Sequence, residues 1–267
     1  MNRIVRIGRS GRRGECTLGG PTRIIAPIMG RTPQVLADEI AALDAHPFDL
    51  VEWRIDPLLG ALEDLATAAT AIESAWEQAV SQSPVPVLAT IRTSAEGGKA
   101  DVEDGDYVRL VALLARFADA VDVEIARTGA RALIAQSHEA GAAVVASSHD
   151  FGQTPTDDAL DALYADMADA GADVLKVACR VTTAEETLRV LSAQIAAHRA
   201  HHRPVIGIGM GDAGTLTRIG GSVLFSAATF ATIGASSAPG QFTVEETRTI
   251  LDLVERGLRG EIGRAHV

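Results

Sequence analysis

Cysteine is nearly missing: Cys16 and Cys179 are the two in 267 residues. So few, so far apart, supply neither a disulfide framework nor a cysteine-based zinc site. A reducing cytoplasm is the expected setting. Positive charge is also in deficit, with a formal net charge of −11. That argues against a nucleic-acid surface. It also means that an anionic ligand must be met by local arginines against an unfavourable overall field. No apolar run is long enough to cross a membrane, and Met1-Asn2-Arg3-Ile4-Val5-Arg6 is not the apolar stretch of a secretion signal. No linker or composition break divides the chain. The expectation is one domain over 1–267, with a hairpin or arm at 1–20, a body at 21–258 and a frayed tail at 259–267. What the chain does have is apolar residues, 47% of the total, enough for a large core.

Those residues follow a rhythm. After a basic, Gly-rich start in which Arg3-Ile4-Val5-Arg6-Ile7 alternates like a hairpin strand, strands are predicted at 23–29, 50–55, 85–92, 120–125, 143–148, 174–178, 204–209 and 222–227. Helices are predicted between and after them, at 32–45, 58–81, 107–117, 131–140, 157–170, 184–200 and 243–258. Thr32 is the cap of the first helix and Pro33 its first residue. Gly141 and Gly171 end two others. Eight βα units in this length fit a (β/α)8 barrel, with an open doubly wound sheet as the alternative.

Side-chain alternation favours the barrel. Val51, Trp53 and Ile55 alternate with Glu52, Arg54 and Asp56, and Val121, Val123 and Ile125 with Asp122 and Glu124. Each strand therefore has one apolar and one charged face. A doubly wound sheet covers both faces with helices, whereas a barrel can enclose its charged face if the charges pair, and Glu52, Arg54, Arg92 and Glu124 offer both signs. The competing reading is edge strands whose charges face water.

In a barrel the chemistry lies at the C-terminal strand ends, where Arg54, Arg92, Glu124, His149 and Lys176 fall. Lys176 stands inside the apolar run Val174-Leu175-Lys176-Val177-Ala178. A buried lysine either pairs with an acid or gives up its proton and becomes a nucleophile for carbonyls. His149 ends the preceding strand, so a base would stand beside an amine, each disfavouring the other's cationic form. Gly209-Met210-Gly211-Asp212-Ala213-Gly214 matches GxGxxG, but it follows the seventh strand and no acid about 20 residues on could hold a ribose, so a dinucleotide site is not expected. Arg218, just beyond, could pair with a carboxylate. The Gly-rich loop Ser236-Ser237-Ala238-Pro239-Gly240-Gln241 would lie over the mouth.

Taken in order, Glu52-Trp53-Arg54-Ile55-Asp56, Arg92 with Glu96-Gly97-Gly98, Ser148-His149-Asp150-Phe151, Lys176, Arg218, Ser226-Ala227-Ala228-Thr229-Phe230 and Ser237-Ala238-Pro239-Gly240-Gln241 resemble type I 3-dehydroquinate dehydratases, from about Ile24 to about Leu253. The resemblance implies a (β/α)8 barrel, a homodimer, and a shikimate-pathway enzyme that needs no metal and no cofactor. It implies that Lys176 forms an imine with the C3 ketone of 3-dehydroquinate and that His149 moves the protons of a syn elimination of water. Glu96 would orient His149, and Arg218 would hold the substrate carboxylate. Glu52, Arg54, Arg92, Ser237 and Gln241 would hold the ring. Pro27 departs from the pattern, standing where the family often has a serine that touches substrate, and Gly209 and Gly211 make the seventh loop more Gly-rich than usual. A Schiff-base aldolase or transaldolase on the same barrel, and a metabolite-binding barrel without catalysis, remain the rival readings.

Overall fold

The structure, a computed structural model, describes residues 3–9, 14–43, 45–233 and 241–258. The predicted tail and Ser237 lie outside the described residues. The chain begins with an antiparallel pair, β1 (Val5–Ile7) and β2 (Cys16–Leu18), as the early alternation predicts. Eight parallel strands follow: β3 (Arg23–Ile28), β4 (Leu50–Arg54), β5 (Val87–Thr90), β6 (Ala120–Glu124), β7 (Ala143–Asp150), β8 (Val174–Arg180), β9 (Val205–Met210) and β10 (Ala228–Phe230). They are hydrogen-bonded in the order β10-β3-β4-β5-β6-β7-β8-β9. The ring closes where Val205 bridges Ser226 and the Ala227 amide donates to the Val205 carbonyl at 2.8 Å. This is the (β/α)8 barrel, and the open doubly wound sheet is set aside.

The helices are α1 (Pro33–Leu43), α2 (Asp56–Leu59), α3 (Ala68–Gln78), α4 (Asp104–Leu114), α5 (Ala130–Glu139), α6 (Asp157–Asp169), α7 (Ala184–His201), α8 (Thr215–Ile219) and α9 (Val244–Leu258). Residues of the outward strand faces, Val51, Trp53, Val121 and Val123 among them, are fully buried in one apolar cluster with α1, α3, α4 and α5. Helix starts follow the capping chemistry of the sequence. Thr32 accepts from the Val35 amide at 3.3 Å, and Thr183 with Glu186 makes a capping box at the start of α7.

Two elements differ from expectation. The predicted helix over 58–81 is split, because Gly60 ends α2 and Asp64 caps a separate turn by accepting from the Ala66 amide at 2.8 Å. The eighth strand is 228–230, not 222–227. Residues Gly221–Leu224 form a 3-10 turn that ends at Phe225 in the left-handed region (φ 59°), and only after that reversal does the chain enter the sheet.

The hairpin plugs the N-terminal end of the barrel. Val5, Ile7, Cys16 and Leu18 are buried against the first inward-facing side chains of the strands, including Leu50, Leu88, Ala120, Val174 and Ala228. The basic residues of this arm tie it down: Arg3 donates to Asp173 at 2.7 Å, and the Arg9 amide donates to Asp119 at 2.9 Å. The arm alternative is therefore replaced by a packed, anchored hairpin over the described residues.

Candidate active site

Moving two residues along each strand from that plug reaches the next inward position, and there the character changes. Glu52 and Arg54 on β4, Asp122 and Glu124 on β6, Ser147 and His149 on β7 and Lys176 on β8 all point into the barrel, joined by Arg92 just past β5 and Phe230 on β10. The register sets Glu124 beside Ser147 and Ser147 beside Lys176. A cavity of about 430 Å³ opens at the C-terminal end. Pro27, Glu52, Arg54, Arg92, Glu96, His149, Lys176, Arg218, Phe230 and Gln241 line it.

Arg92 organises the floor. Its guanidinium donates to Glu96 at 3.1 Å, to Glu124 at 3.0 Å, to Ser147 at 3.0 Å and to Asp122 at 2.8 Å. A buried cation needs this many acceptors to offset its lost hydration. Burial by itself would lower its pKa, but Asp122, Glu124 and Glu96 outweigh that and raise it. Arg54 is held as a fork on the fully buried Asp56, at 2.7 and 2.9 Å. Arg54 and Asp56 share a strand face in the sequence, but Asp56 has already entered α2, which brings its carboxylate back onto the guanidinium.

Glu96 reaches the site because the chain folds back on itself at Gly97 and Gly98. Gly97 has φ 78°, and a Cβ there would lie 2.3 Å from the Phe151 ring. A Cβ on Gly98 would lie 1.9 Å from the Arg92 carbonyl oxygen. Two glycines are required, and they bring the carboxyl of Glu96 to 2.8 Å from His149 Nδ1. Burial first, then the charges of Glu124 and Asp122, raise Glu96 to about 8 against the opposing pull of Arg92. His149 moves the other way, well below its ordinary range, through burial and then the charges of Arg92, Lys176 and Arg54. At neutral pH the two are thus neutral hydrogen-bonded partners rather than an ion pair. With Nδ1 engaged by Glu96, Nε2 is the nitrogen left for chemistry, and it is a base once Glu96 is ionised and accepts from Nδ1–H.

Lys176 is 4% exposed. Its Nζ lies 3.4 Å from Asp122 Oδ2 and 3.8 Å from Glu52 Oε1, and 4.6 Å above the centre of the Phe230 ring. It is one of two lysines in the chain; the other, Lys99, is exposed. Arg218, on α8, is buried. Its Nε has no hydrogen-bond partner and no carboxylate pairs with it among the described residues. Burial lowers its pKa. The GxGxxG run serves this arginine by close packing: a Cβ on Gly214 would lie 2.1 Å from the Gly209 carbonyl oxygen, so glycine lets α8 start directly beneath the end of β9.

Pro27 lines the cavity and pairs in register with Glu52. It has no amide hydrogen to offer, and the β10–β3 ladder ends two residues earlier, at Phe230 and Ile25. Residues 236–240 of the loop expected over the mouth, Ser237 among them, lie outside the described residues; the other residues given a part in the site line this one cavity or bond to residues that do. The sequence reading did not pick out Asp122, Ser147 or Phe230 as parts of the site. Asp122 was the findable one, because it shares a face with Glu124.

The sequence profile of the type I 3-dehydroquinase family matches residues 24–257. A 3-dehydroquinate dehydratase of Aromatoleum aromaticum is 33% identical over 255 residues, covering 93% of this chain and 96% of that protein. One from Listeria welshimeri is 35% identical, over 89% of this chain and 94% of its own length. Among solved structures, the type I enzyme of Clostridium difficile, with covalently modified comenic acid, superposes with a TM-score of 0.84 at 26% identity, over 96% of this chain and 99% of that one. The 3-dehydroquinate dehydratase of Geobacillus kaustophilus gives 0.81 at 30% identity, over 96% and 98%. With the profile spanning the barrel and relatives matched almost end to end, the chain belongs to the type I 3-dehydroquinase family.

Proposed function

We propose that this barrel is a hydro-lyase of the shikimate pathway that converts 3-dehydroquinate to 3-dehydroshikimate through an imine at Lys176. The observation that carries the reading is a buried lysine and a carboxyl-oriented histidine on neighbouring strands, both lining one cavity. The Lys176 nitrogen adds to the C3 ketone; counted from its ammonium form, two of the three N–H hydrogens leave with the carbonyl oxygen as water and one stays on the imine. The resulting cationic imine draws electrons from C2, so the C2 proton becomes acidic enough for His149 Nε2 to remove. The C2 electrons then form the C1–C2 double bond, and the C1 hydroxyl leaves with the proton that His149 carries. Water hydrolyses the imine and frees the lysine. The electrons left at C2 are drawn to the imine nitrogen, and the departing hydroxyl takes its proton from His149, so this chemistry asks for no metal.

In this reading Glu96 positions His149, and Arg218 is the anchor for the substrate carboxylate, since it is a buried cation with a donor to spare. Glu52, Arg54, Arg92 and Gln241 face the ring, with Ser237 assigned by family resemblance alone. A homodimer in the cytoplasm belongs to the same reading; the two free, buried cysteines are consistent with a reducing compartment. Among the described residues no helix is long and apolar enough to cross a membrane.

The test is incubation with 3-dehydroquinate. We expect the ultraviolet absorbance of the conjugated enone carboxylate to appear, and borohydride to fix a substrate-derived mass on Lys176. No absorbance change, or fixation of a phosphorylated ketose in place of 3-dehydroquinate, would favour the aldolase reading.

A further inference from the structure

Asp122 is fully buried, and its two oxygens do different work. Oδ1 is occupied, accepting from Arg92 Nη2 at 2.8 Å and from Ser147 Oγ at 2.6 Å. Those two bonds fix the plane of the carboxylate. Oδ2 has Lys176 Nζ, at 3.4 Å, as its hydrogen-bonding neighbour among the described residues. Glu52 Oε1 lies 3.8 Å from the same nitrogen, and Glu52 is itself steadied by Thr90 Oγ1 at 3.0 Å. The face of the Phe230 ring completes the surroundings, 4.6 Å from Nζ. Two carboxylates and an aromatic face all favour positive charge at that one atom. The cations nearby stand off from it. Arg92 is turned to Oδ1 and its other acceptors, and Arg54 to Asp56. Burial alone would raise the Asp122 carboxyl, but Arg92, then Lys176 and the bond from Ser147, outweigh it and hold it below the usual carboxylate range.

We infer that Asp122 is the built-in counter-ion of the imine formed at Lys176, and that it keeps the imine nitrogen protonated while the C2 proton is removed. The inference rests on the imine reading above. It adds a positioning residue that acts through Lys176. The balance of the step is simple. An alkylammonium and a ketone give a cationic imine that keeps one N–H, and one water. That N–H is the group that Asp122 Oδ2 can accept. Lose the proton and the imine is a poor electron sink, so elimination stops although the covalent adduct persists. A carboxylate held by Arg92 and Ser147 cannot swing away to solvent, which makes the counter-charge permanent rather than fortuitous.

The chain's two lysines make a direct test possible, because [15N]lysine labelling gives only two side-chain signals, Lys99 and Lys176. In a His149→Ala protein, which should stall with substrate attached, the Lys176 nitrogen is followed by its 15N shift from neutral to alkaline pH in the presence of 3-dehydroquinate. We expect a protonated imine that persists at least about one pH unit beyond that of a free alkyl imine, equivalent to a tenfold bias. Placing Asp122→Asn in the same background should remove the bias, while Oδ1 still accepts from Arg92 and Ser147 and keeps the floor intact. Ser147→Ala is the structural control: it loosens the carboxylate but leaves its charge, and should keep most of the shift. A neutral imine nitrogen in the labelled His149→Ala adduct overturns the inference without any need for the Asn variant to fold. An Asp122→Asn protein that keeps the protonated signal overturns it as well. Absence of any adduct at Lys176 overturns the imine reading itself, and this inference with it.

Discussion

The two ends of this barrel are built from the same strands, two residues apart, and share almost nothing else. At the N-terminal end Leu50, Leu88 and Ala120 meet the apolar side chains of the hairpin and exclude water. One inward position further, the same strands present Glu52, Thr90 and Asp122, and one beyond that Arg54, Arg92 and Glu124. Burying apolar area at one end stabilises the fold by roughly 25 cal/mol per Å². Burying five carboxylates and several cations at the other contributes little or works against folding, because desolvation offsets most of the ionic attraction. The apolar end holds the charged end in place, and the site can therefore be organised for reaction. Substitutions at the two ends should accordingly separate activity from stability.

The largest effect is expected at Lys176. Lys176→Ala should abolish dehydration and borohydride labelling while leaving the thermal transition near that of the native protein; retained turnover, or label on Lys99, would remove the imine from this site. His149→Ala should come next, with kcat lowered by about 10²–10⁴, the usual worth of acid–base catalysis, yet with substrate still trapped on Lys176 by mass. Unchanged turnover would leave His149 without a catalytic part.

Arg218→Ala should cost about 2–5 kcal/mol in kcat/KM, as expected when one partner of a buried charge pair is removed. Arg218→Lys should recover only part of it, since it restores the charge and not the fork. Steady-state kinetics of the two variants decides, and an unchanged kcat/KM in Arg218→Ala would move the carboxylate anchor elsewhere. The contrasting substitution is Leu18→Ala in the plug. It should lower stability to chemical denaturation by about 2–5 kcal/mol while kcat/KM per folded molecule stays the same. A loss of activity without a loss of stability there would break the division between the ends.

The smallest effect is a pH dependence. Glu96 is raised to about 8, so below that pH it is protonated and donates to His149 Nδ1, which leaves the hydrogen on Nε2 and no base facing the substrate. Above it, the carboxylate accepts from Nδ1–H and Nε2 is free. In free enzyme kcat/KM should therefore fall as pH drops through about 8, by up to roughly tenfold per unit. The His149 ionisation, pushed well below its ordinary value, should not appear in that window. Glu96→Gln can accept from Nδ1–H at every pH and should flatten the limb; a limb that survives the substitution belongs to another group.

Much of this molecule was legible in the chain. The alternation of Val51, Trp53 and Ile55 with Glu52 and Arg54 reports a strand with one greasy and one charged face, and this alternation is local. Lysine inside an apolar run and histidine at the end of the strand before it are equally local signals. Asp122 carried the same signal as Glu124 but gave no sign that its partner would be Lys176, 54 residues away. The split of the predicted helix over 58–81 turned on Gly60, which ends α2, and on the capping Asp64, which an alanine-rich periodicity overrides on paper and not in the chain.

What the sequence determined by itself is therefore seven of the eight barrel strands, the face their side chains take, and most of the groups that line the mouth among the described residues, because period-2 patterning and burial costs act within a few residues. What only the tertiary structure decided is who meets whom. Closure of the ring sets the register that stands Ser147 beside Lys176. The turn at Gly97 and Gly98 brings Glu96 onto His149. The reversal at Phe225 delays the eighth strand until Phe230 can lie beneath the lysine nitrogen. Each of these joins residues far apart in the chain, and the energy that selects it comes from the whole packed barrel rather than from any segment of it.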